Sequence, residues 1–230
     1  DEYLFADIKD ILSRASKREQ IFIKNYFMLP DELKADFEIN MSALKKNSHI
    51  YFLIDHDLYY EKAIAYAETL MQTDGSYYEY IPPNLVEQNL SIAFNAVKSR
   101  PINFKDLPAK YTDDKNFIAM CLIANPLTYC QLRSCQRKDI NYLSIIYNYT
   151  RPLDIPKIYQ AIPLKHKARK KNILEMITFL PQVYGLLSYK QRSDEQIAVM
   201  AVHHDYKQIA NVPKGMHFKL PIINTYFAPM

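Results

Sequence analysis

The sequence predicts an all-α fold, an α-solenoid of about seven helical-hairpin repeats of roughly 25 residues. Three observations predict it. First, an aromatic residue stands three positions before an aliphatic one in seven pairs: Tyr26–Leu29, Tyr51–Ile54, Tyr78–Ile81, Phe104–Leu107, Tyr129–Leu132, Tyr159–Ile162 and Tyr184–Leu187. Consecutive aliphatic members differ by 25, 27, 26, 25, 30 and 25 residues, and Ile209–Val212 adds a degenerate copy 25 further on. Second, only 3 glycines occur in 230 residues, against a usual share of about 7%. Turn-rich β architectures need glycine at positive φ, so its scarcity favours helices. Third, the 13 prolines fall mostly at repeat seams, with Pro30, Pro82, Pro108, Pro163 and Pro213 directly after the aliphatic position.

The elements follow in order. Residues 1–25 carry an apolar helical face (Leu4, Ile8, Ile11, Leu12) without a clean repeat and read as an N-terminal capping helix. Residues 26–212 form the array. Each unit reads as a short helix carrying the aromatic–aliphatic pair, a bend at proline, and a longer helix of about three turns. Seven positions after the aliphatic residue stand Asp36, Glu61, Gln88, Asp114, Asp139, Arg169 and Asp194, where an acid or amide accepts from free helix N–H groups. Fourteen positions after it come Ala43, Glu68, Cys121, Ile146, Met176 and Ala201, with Ala96 displaced by one. Small residues dominate there, as close helix approach requires. The 30-residue unit carries an insertion around Asn148–Pro156, and the 27-residue unit holds its extra residues near Thr73-Asp74-Gly75. Residues 213–230 hold three prolines and no period, and read as an irregular C-terminal segment.

The run Leu107-Pro108-x5-Asp114-x-x-Phe117-Ile118-Ala119-x-Cys121-Leu122-x-x-Asn125-Pro126 resembles a bacterial domain-of-unknown-function family of short tandem helix-turn-helix repeats, each of about two dozen residues. The resemblance covers about residues 26–215, with the units from Ile81, Leu107 and Leu187 carrying most of it. It implies a helical repeat scaffold from a bacterium that lives in or on eukaryotic cells, and it supplies no catalytic or binding residues. Glu68 and Ile146 in place of the small residue, and Arg169 in place of the acid, depart from the pattern.

Charge is divided along the chain. Residues 1–115 hold 14 Lys/Arg against 19 Asp/Glu, a net −5; the remainder holds 15 against 6, a net +9. The basic half has a focus at Lys165, Lys167, Arg169, Lys170 and Lys171. These cations stand where other repeats place an acid, so they oppose the helix dipole at a cost of roughly a few tenths of a kcal/mol each. A bound anionic group would relieve that cost, and the block is the candidate contact for an acidic surface.

No P-loop, GxGxxG, HExxH or GxSxG motif is present. His203-His204-Asp205 and Asp55-His56-Asp57 are the densest titratable clusters, and both read as helix ends or loops. Cys130, Cys135 and His166 match no zinc spacing, and Cys121 occupies the small core position. The three cysteines, an odd set without CxxC, read as free thiols in a reducing compartment. No apolar run reaches about 18 residues, so no transmembrane helix is expected. The chain opens on acidic residues without a basic n-region or a Met, and reads as a trimmed fragment that another domain preceded.

The sequence therefore predicts a non-enzymatic scaffold for protein–protein interaction, without cofactors, whose partner is a protein with an acidic surface. It acts in the cytoplasm or after delivery into a host cell, as a docking or targeting domain of a larger protein. The second reading is nucleic-acid or anionic-lipid binding through the basic C-terminal half, drawing on 19 tyrosines, of which Tyr59-Tyr60, Tyr77-Tyr78 and Tyr147/Tyr149 lie outside or beside the repeat position.

Overall fold

The computed structural model describes residues 15–54 and 60–217, and all regular structure among them is helical. Leu4, Ile8, Ile11 and Leu12 of the expected cap lie outside these residues, as do Asp55-His56-Asp57, Tyr59 and residues 218–230. Backbone contacts separate the chain into two units, Asp1–Asp114 and Lys115–Met230.

The first unit contains α1 (Lys17–Phe27), α2 (Asp31–Lys34), α3 (Phe37–Lys46), α4 (Tyr60–Thr73), α5 (Pro83–Gln88), α6 (Leu90–Ser99) and α7 (Ala109–Thr112). The second contains α8 (Lys115–Ala124), α9 (Ile140–Tyr149), α10 (Ile155–Ala161), α11 (Leu164–Ala168), α12 (Lys170–Phe179), α13 (Tyr189–Arg192) and α14 (Glu195–His204). In the first unit α3 packs on α4 and α4 on α6; in the second α8 packs on α9, α9 on α12 and α12 on α14.

The longer helices bury a two-wide stripe at i, i+1, i+4 and i+5. It reads Ile92, Ala93, Ala96, Val97 in α6, Phe117, Ile118, Cys121, Leu122 in α8, and Ile197, Ala198, Ala201, Val202 in α14. Positions four apart share a helical face, so the stripe is wide enough to meet a neighbour on either side. Each fully buried Leu or Ile contributes roughly 1.5–3 kcal/mol. The acids expected at the helix starts do cap: Asp36 accepts from the Ile39 N–H at 2.9 Å, Asp139 from Asn141 at 2.9 Å and Asp194 from Ile197 at 3.2 Å. Asn89, one residue after Gln88, is the N-cap of α5's successor α6, and its side chain makes no cap bond.

The far ends of seven long helices are closed in one way, whereas α1 ends at Met28 in helical backbone. The residue after each leaves the helical backbone, and its N–H returns to the carbonyl of the buried residue four before: Asn47 to Ala43, Asp74 to Leu70, Arg100 to Ala96, Asn125 to Cys121, Thr150 to Ile146, Leu180 to Met176 and Asp205 to Ala201. Where that residue is Asn or Asp, its side chain also caps the next turn, accepting from the N–H of His49, Ser76, Leu127 or Lys207.

Three expectations are corrected. The aromatic–aliphatic pair is carried mostly by 3₁₀ turns (48–53, 75–80, 101–106, 126–131, 181–186, 206–211), with only Tyr26 and Tyr159 in α-helix. A separate short α-helix follows Pro30, Pro82, Pro108 and Pro163, and a 3₁₀ turn follows Pro213, so the unit has three pieces where a hairpin of two was expected. Leu70, fully buried, and not Glu68, holds the closing position of α4. The two extra residues of that unit therefore precede the closing position, and Asp74-Gly75 keeps the ordinary spacing to Ile81. Gly75 serves there as a close approach, since a Cβ would come within 3.0 Å of the Ala96 carbonyl and the Ser99 Cβ. The insertion of the longest unit lies where expected: a 3₁₀ turn at Pro152–Asp154 and α10 stand in place of the usual single turn.

The repeat aromatics Tyr26, Tyr51, Phe104, Tyr129 and Tyr184 are buried, whereas Tyr78 and Tyr159 are half-buried. No helix of the described residues is long and apolar enough to cross a membrane.

Candidate interaction surface

The five cations of the basic block separate into two groups. Lys167 and Lys170 serve the architecture. Lys167 closes the C-terminal end of α10: its Nζ donates to the carbonyls of Tyr159 at 3.2 Å and Gln160 at 3.3 Å, and lies 5.0 Å from the centre of the Tyr159 ring. A cation suits that end of a helix and that ring face. Burial lowers the Lys167 pKa. Lys170 pairs at 2.8 Å with Asp194, the N-cap of α14. Burial pushes the Asp194 carboxyl up, but the Lys170 hydrogen bond and charge and the Ile197 N–H outweigh it and hold it below its ordinary value. Both partners are substantially exposed, so the pair is worth at most about 1 kcal/mol.

Lys165, Arg169 and Lys171 are exposed and have no ion-pair partner among the described residues. Arg169 is the N-cap of α12 and makes no side-chain cap bond. The reversed cap expected from the sequence is therefore present.

Placed on the repeat, these cations belong to a longer feature. In the second unit the six residues after each aliphatic position, within the described residues, are 133–138, 163–168, 188–193 and 213–217. They contain Arg133, Arg137, Lys138, Lys165, Lys167, Lys190, Arg192 and Lys214, and no Asp or Glu; the seventh position holds Asp139, Arg169 and Asp194. By sequence, the matching segments of the first unit, 30–35, 55–60, 82–87 and 108–113, contain Asp31, Glu32, Asp55, Asp57, Glu87 and Asp113 beside Lys34 and Lys110. Counted by unit, Asp1–Asp114 has 13 Lys/Arg and 19 Asp/Glu, a net −6, and Lys115–Met230 has 16 and 6, a net +10.

Hydrogen bonds anchor the basic segments, one of them joining two segments directly and two reaching the residues just before the next aliphatic position. Arg137 Nη1 donates to the Ala161 carbonyl at 3.3 Å, Gln191 Nε2 to the Lys167 carbonyl at 2.9 Å, and Arg192 Nη1 to the Asn211 carbonyl at 3.1 Å. The repeat tyrosines brace the same arginines from within: Tyr129 donates to the Arg137 carbonyl at 2.8 Å and Tyr184 to the Arg192 carbonyl at 2.7 Å. Burial raises the Tyr129 pKa, and that of Tyr184 to about 12, so both phenols stay protonated donors.

Sequence reasoning found the middle of this edge and missed Lys138, Lys190 and Lys214. All three are exposed and fall six, three and two residues after an aliphatic position. The repeat spacing that located Arg169 also locates them. It missed as well the exposed apolar residues beside two of the lysines: Leu164 is 80% exposed and Tyr189 70%. Of the tyrosines left outside the repeat position, Tyr147 is core and Tyr149 is exposed.

An open groove of about 620 Å³ runs between α12 and α14, lined by Lys170, Asp194, Glu195, Gln196, Val199, Met200 and His203. Its two carboxylates offset its one lysine, so it offers an acidic partner nothing. His203 and His204 are exposed and touch edge to face at 5.4 Å. The Asp205 carboxylate caps the following turn through the Lys207 N–H at 3.1 Å and Gln208 Nε2 at 2.8 Å. Cys121 is buried, with its thiol pushed up to about 12 by that burial; Cys130 is half-buried and Cys135 exposed, and His166 faces Asn172 at 3.3 Å. No group of three metal-ligating side chains converges among the described residues. No family model, no curated protein and no solved structure matches this chain.

Proposed function

We propose that this chain is a non-enzymatic α-solenoid scaffold that binds a partner protein through an acidic surface on that partner. In this reading it is a docking or targeting domain of a larger bacterial, host-interacting protein, as the family resemblance implies. The recurring buried stripe and the side-chain bonds that span 23 to 28 residues, such as Tyr111 to Val86 and Asn103 to Gly75, support a stacked array. One observation carries the functional part: Lys165, Arg169 and Lys171 are exposed and unpaired in a unit of net charge +10, while their neighbours Lys167 and Lys170 are engaged. Cations left without internal partners are available to steer and orient an acidic surface.

The test is affinity capture by the intact chain and by K165S/R169S/K171S, from bacterial and eukaryotic lysates treated with nuclease. The reading expects a defined protein to be retained, at least about fivefold less by the variant, with a loss on raising salt. Capture that nuclease treatment abolishes would overturn it in favour of nucleic-acid binding.

A further inference from the structure

Resting on that reading, we infer that the docking site is the whole short-helix edge of the second unit, and that its occupant is an extended acidic segment of the partner protein. Lys138, Lys165, Lys190 and Lys214 supply one lysine to each successive segment of this edge, at sequence intervals of 27, 25 and 24 residues. Each is exposed, and none has an ion-pair partner among the described residues. Three of the four segments are held before any partner arrives, because Arg137, Lys167 and Arg192 each donate to a nearby carbonyl and the repeat tyrosines hold the arginine backbones. Pre-positioned cations lose little freedom on binding, which favours association.

Spacing identifies the occupant. Packed helices lie about 8–10 Å apart. An extended peptide advances about 3.3 Å per residue, so every third residue falls about 10 Å further on. A segment with a carboxylate at every third position would therefore meet successive lysines, and the four lysines would span about ten residues. The side chains between would meet Leu164 and Tyr189. Tyr189 offers its ring to a base or to a peptide side chain alike, but Leu164 has no aromatic face for a nucleobase and suits an apolar peptide side chain, so the preference for an acidic peptide rests on Leu164. The acid-free composition of all four segments removes the repulsion that Glu87 and Asp113 would impose on the first unit's equivalent edge.

The experiment uses the full chain and three fluorescent probes at low salt: a twelve-residue peptide of repeated Glu-Leu-Ser, a peptide of the same composition with its glutamates contiguous, and a twelve-nucleotide oligothymidylate. The variants are K138S/K190S/K214S, which shares no residue with the block variant above, and K115S/K157S/K207S, which removes equal charge from elsewhere in the same unit. The spaced peptide should bind at least about fivefold tighter than the contiguous one. K138S/K190S/K214S should weaken it by about tenfold or more, and K115S/K157S/K207S by less than about threefold. All substituted side chains are exposed, so a matching thermal melt shows that each variant folds. Equal affinity for the two peptides, equal loss in the two variants, or tighter ridge-dependent binding of the oligonucleotide would each overturn the inference. Loss in K165S/R169S/K171S but not in K138S/K190S/K214S would overturn the ridge and leave the acidic-partner reading standing; binding of the spaced peptide unchanged by all three variants would overturn both.

Discussion

Tyr26 in the first unit and Tyr184 in the second occupy the same position of the repeat, yet their hydroxyls are satisfied in different ways. Tyr26 donates at 2.6 Å to Asn40 Oδ1, and Asn40 in turn donates to the Lys34 carbonyl at 2.7 Å and the Tyr66 hydroxyl at 3.3 Å. The first unit repeats this neutral chemistry with Asn103, which donates to the carbonyls of Gly75 and Ala96. Tyr184 instead donates to the backbone of an arginine whose guanidinium reaches on to the next segment. Neutral amides carry most of these seals in the first unit, where Lys110 also donates to the Glu87 carbonyl, and cations carry most of them in the second, beside Gln191. The second unit also contains buried polar atoms without partners, Thr128 Oγ1, Arg137 Nε and Arg192 Nε, while none occurs among the described residues of the first. The lesson is that one repeat can be closed by either chemistry, and that closing it with long cations leaves an acid-free edge on which further lysines stand.

The comparison can be broken or sharpened by substitution. The largest effect tests whether the registers are truly equivalent. Leu70→Ala should cost about 3 kcal/mol by chemical denaturation, as expected for a large-to-small change in a core, and Glu68→Ala less than about 1 kcal/mol. Comparable losses at the two positions would mean that α4 is registered on Glu68. Next, Asn40→Ala removes the acceptor of the Tyr26 hydroxyl and the donor to the Lys34 carbonyl, and should cost about 2 kcal/mol in a urea titration at any salt concentration. Arg192→Met keeps the buried stem and removes both the bond to Asn211 and the orphaned Nε, so a loss of only about 1 kcal/mol is expected. A larger loss than that of Asn40→Ala would make the cationic seal the stronger one.

The smallest effect is pH-dependent and belongs to the first unit. His49 is buried, with Nδ1 2.8 Å from Asn47 Oδ1 and Nε2 3.1 Å from the Tyr77 hydroxyl. The acceptor on one side leaves Nδ1 as the protonated nitrogen and Nε2 free to accept from Tyr77. Burial lowers the His49 pKa, against the opposing charges of Glu19 and Asp74. The unfolded chain therefore takes up a proton first as pH falls below about 6.5, and stability declines from there down to the lowered folded value. Melting temperature recorded from pH 7 to pH 5 should fall in the native chain, and fall less in His49→Gln. An identical decline in both would show that other groups dominate.

Much of this was legible in the sequence where the cause is local. Asp36, Asp139 and Asp194 announce their helix starts because a cap needs only a side-chain oxygen within a turn of the free N–H groups. The 3₁₀ turns were also written there, since a pair spaced by three matches a helix of three residues per turn, but the same spacing fits an α-helix and the reading went to the commoner form. Leu70 was hidden because counting from Ile54 assumes a fixed connection, and that unit places its two extra residues before the closing position. The basic block was found as a block but not resolved, because five adjacent cations leave a helical surface in different directions. Which of them find a partner depends on the fold: Lys170 meets the Asp194 carboxylate 24 residues away, and Lys167 the carbonyls of Tyr159 and Gln160. The exposed lysines at 138, 190 and 214 became visible only once each was counted from its own aliphatic residue.

The uniform closure of the long helices has a consequence for how the chain can vary. From the residue whose carbonyl takes the closing N–H to the next aliphatic position is eleven residues in every unit but one, as from Cys121 to Leu132 or Ala201 to Val212. That stretch is a rigid joint of fixed length. The stretch after the aliphatic residue differs: it lengthens by one before Ala96 and by two before Leu70 without disturbing the joint. A lineage could therefore rewrite the short segments after the aliphatic residues, in length and in charge, while the joints within each unit keep their length. The acidic and basic edges of the two units are two texts in the same binding.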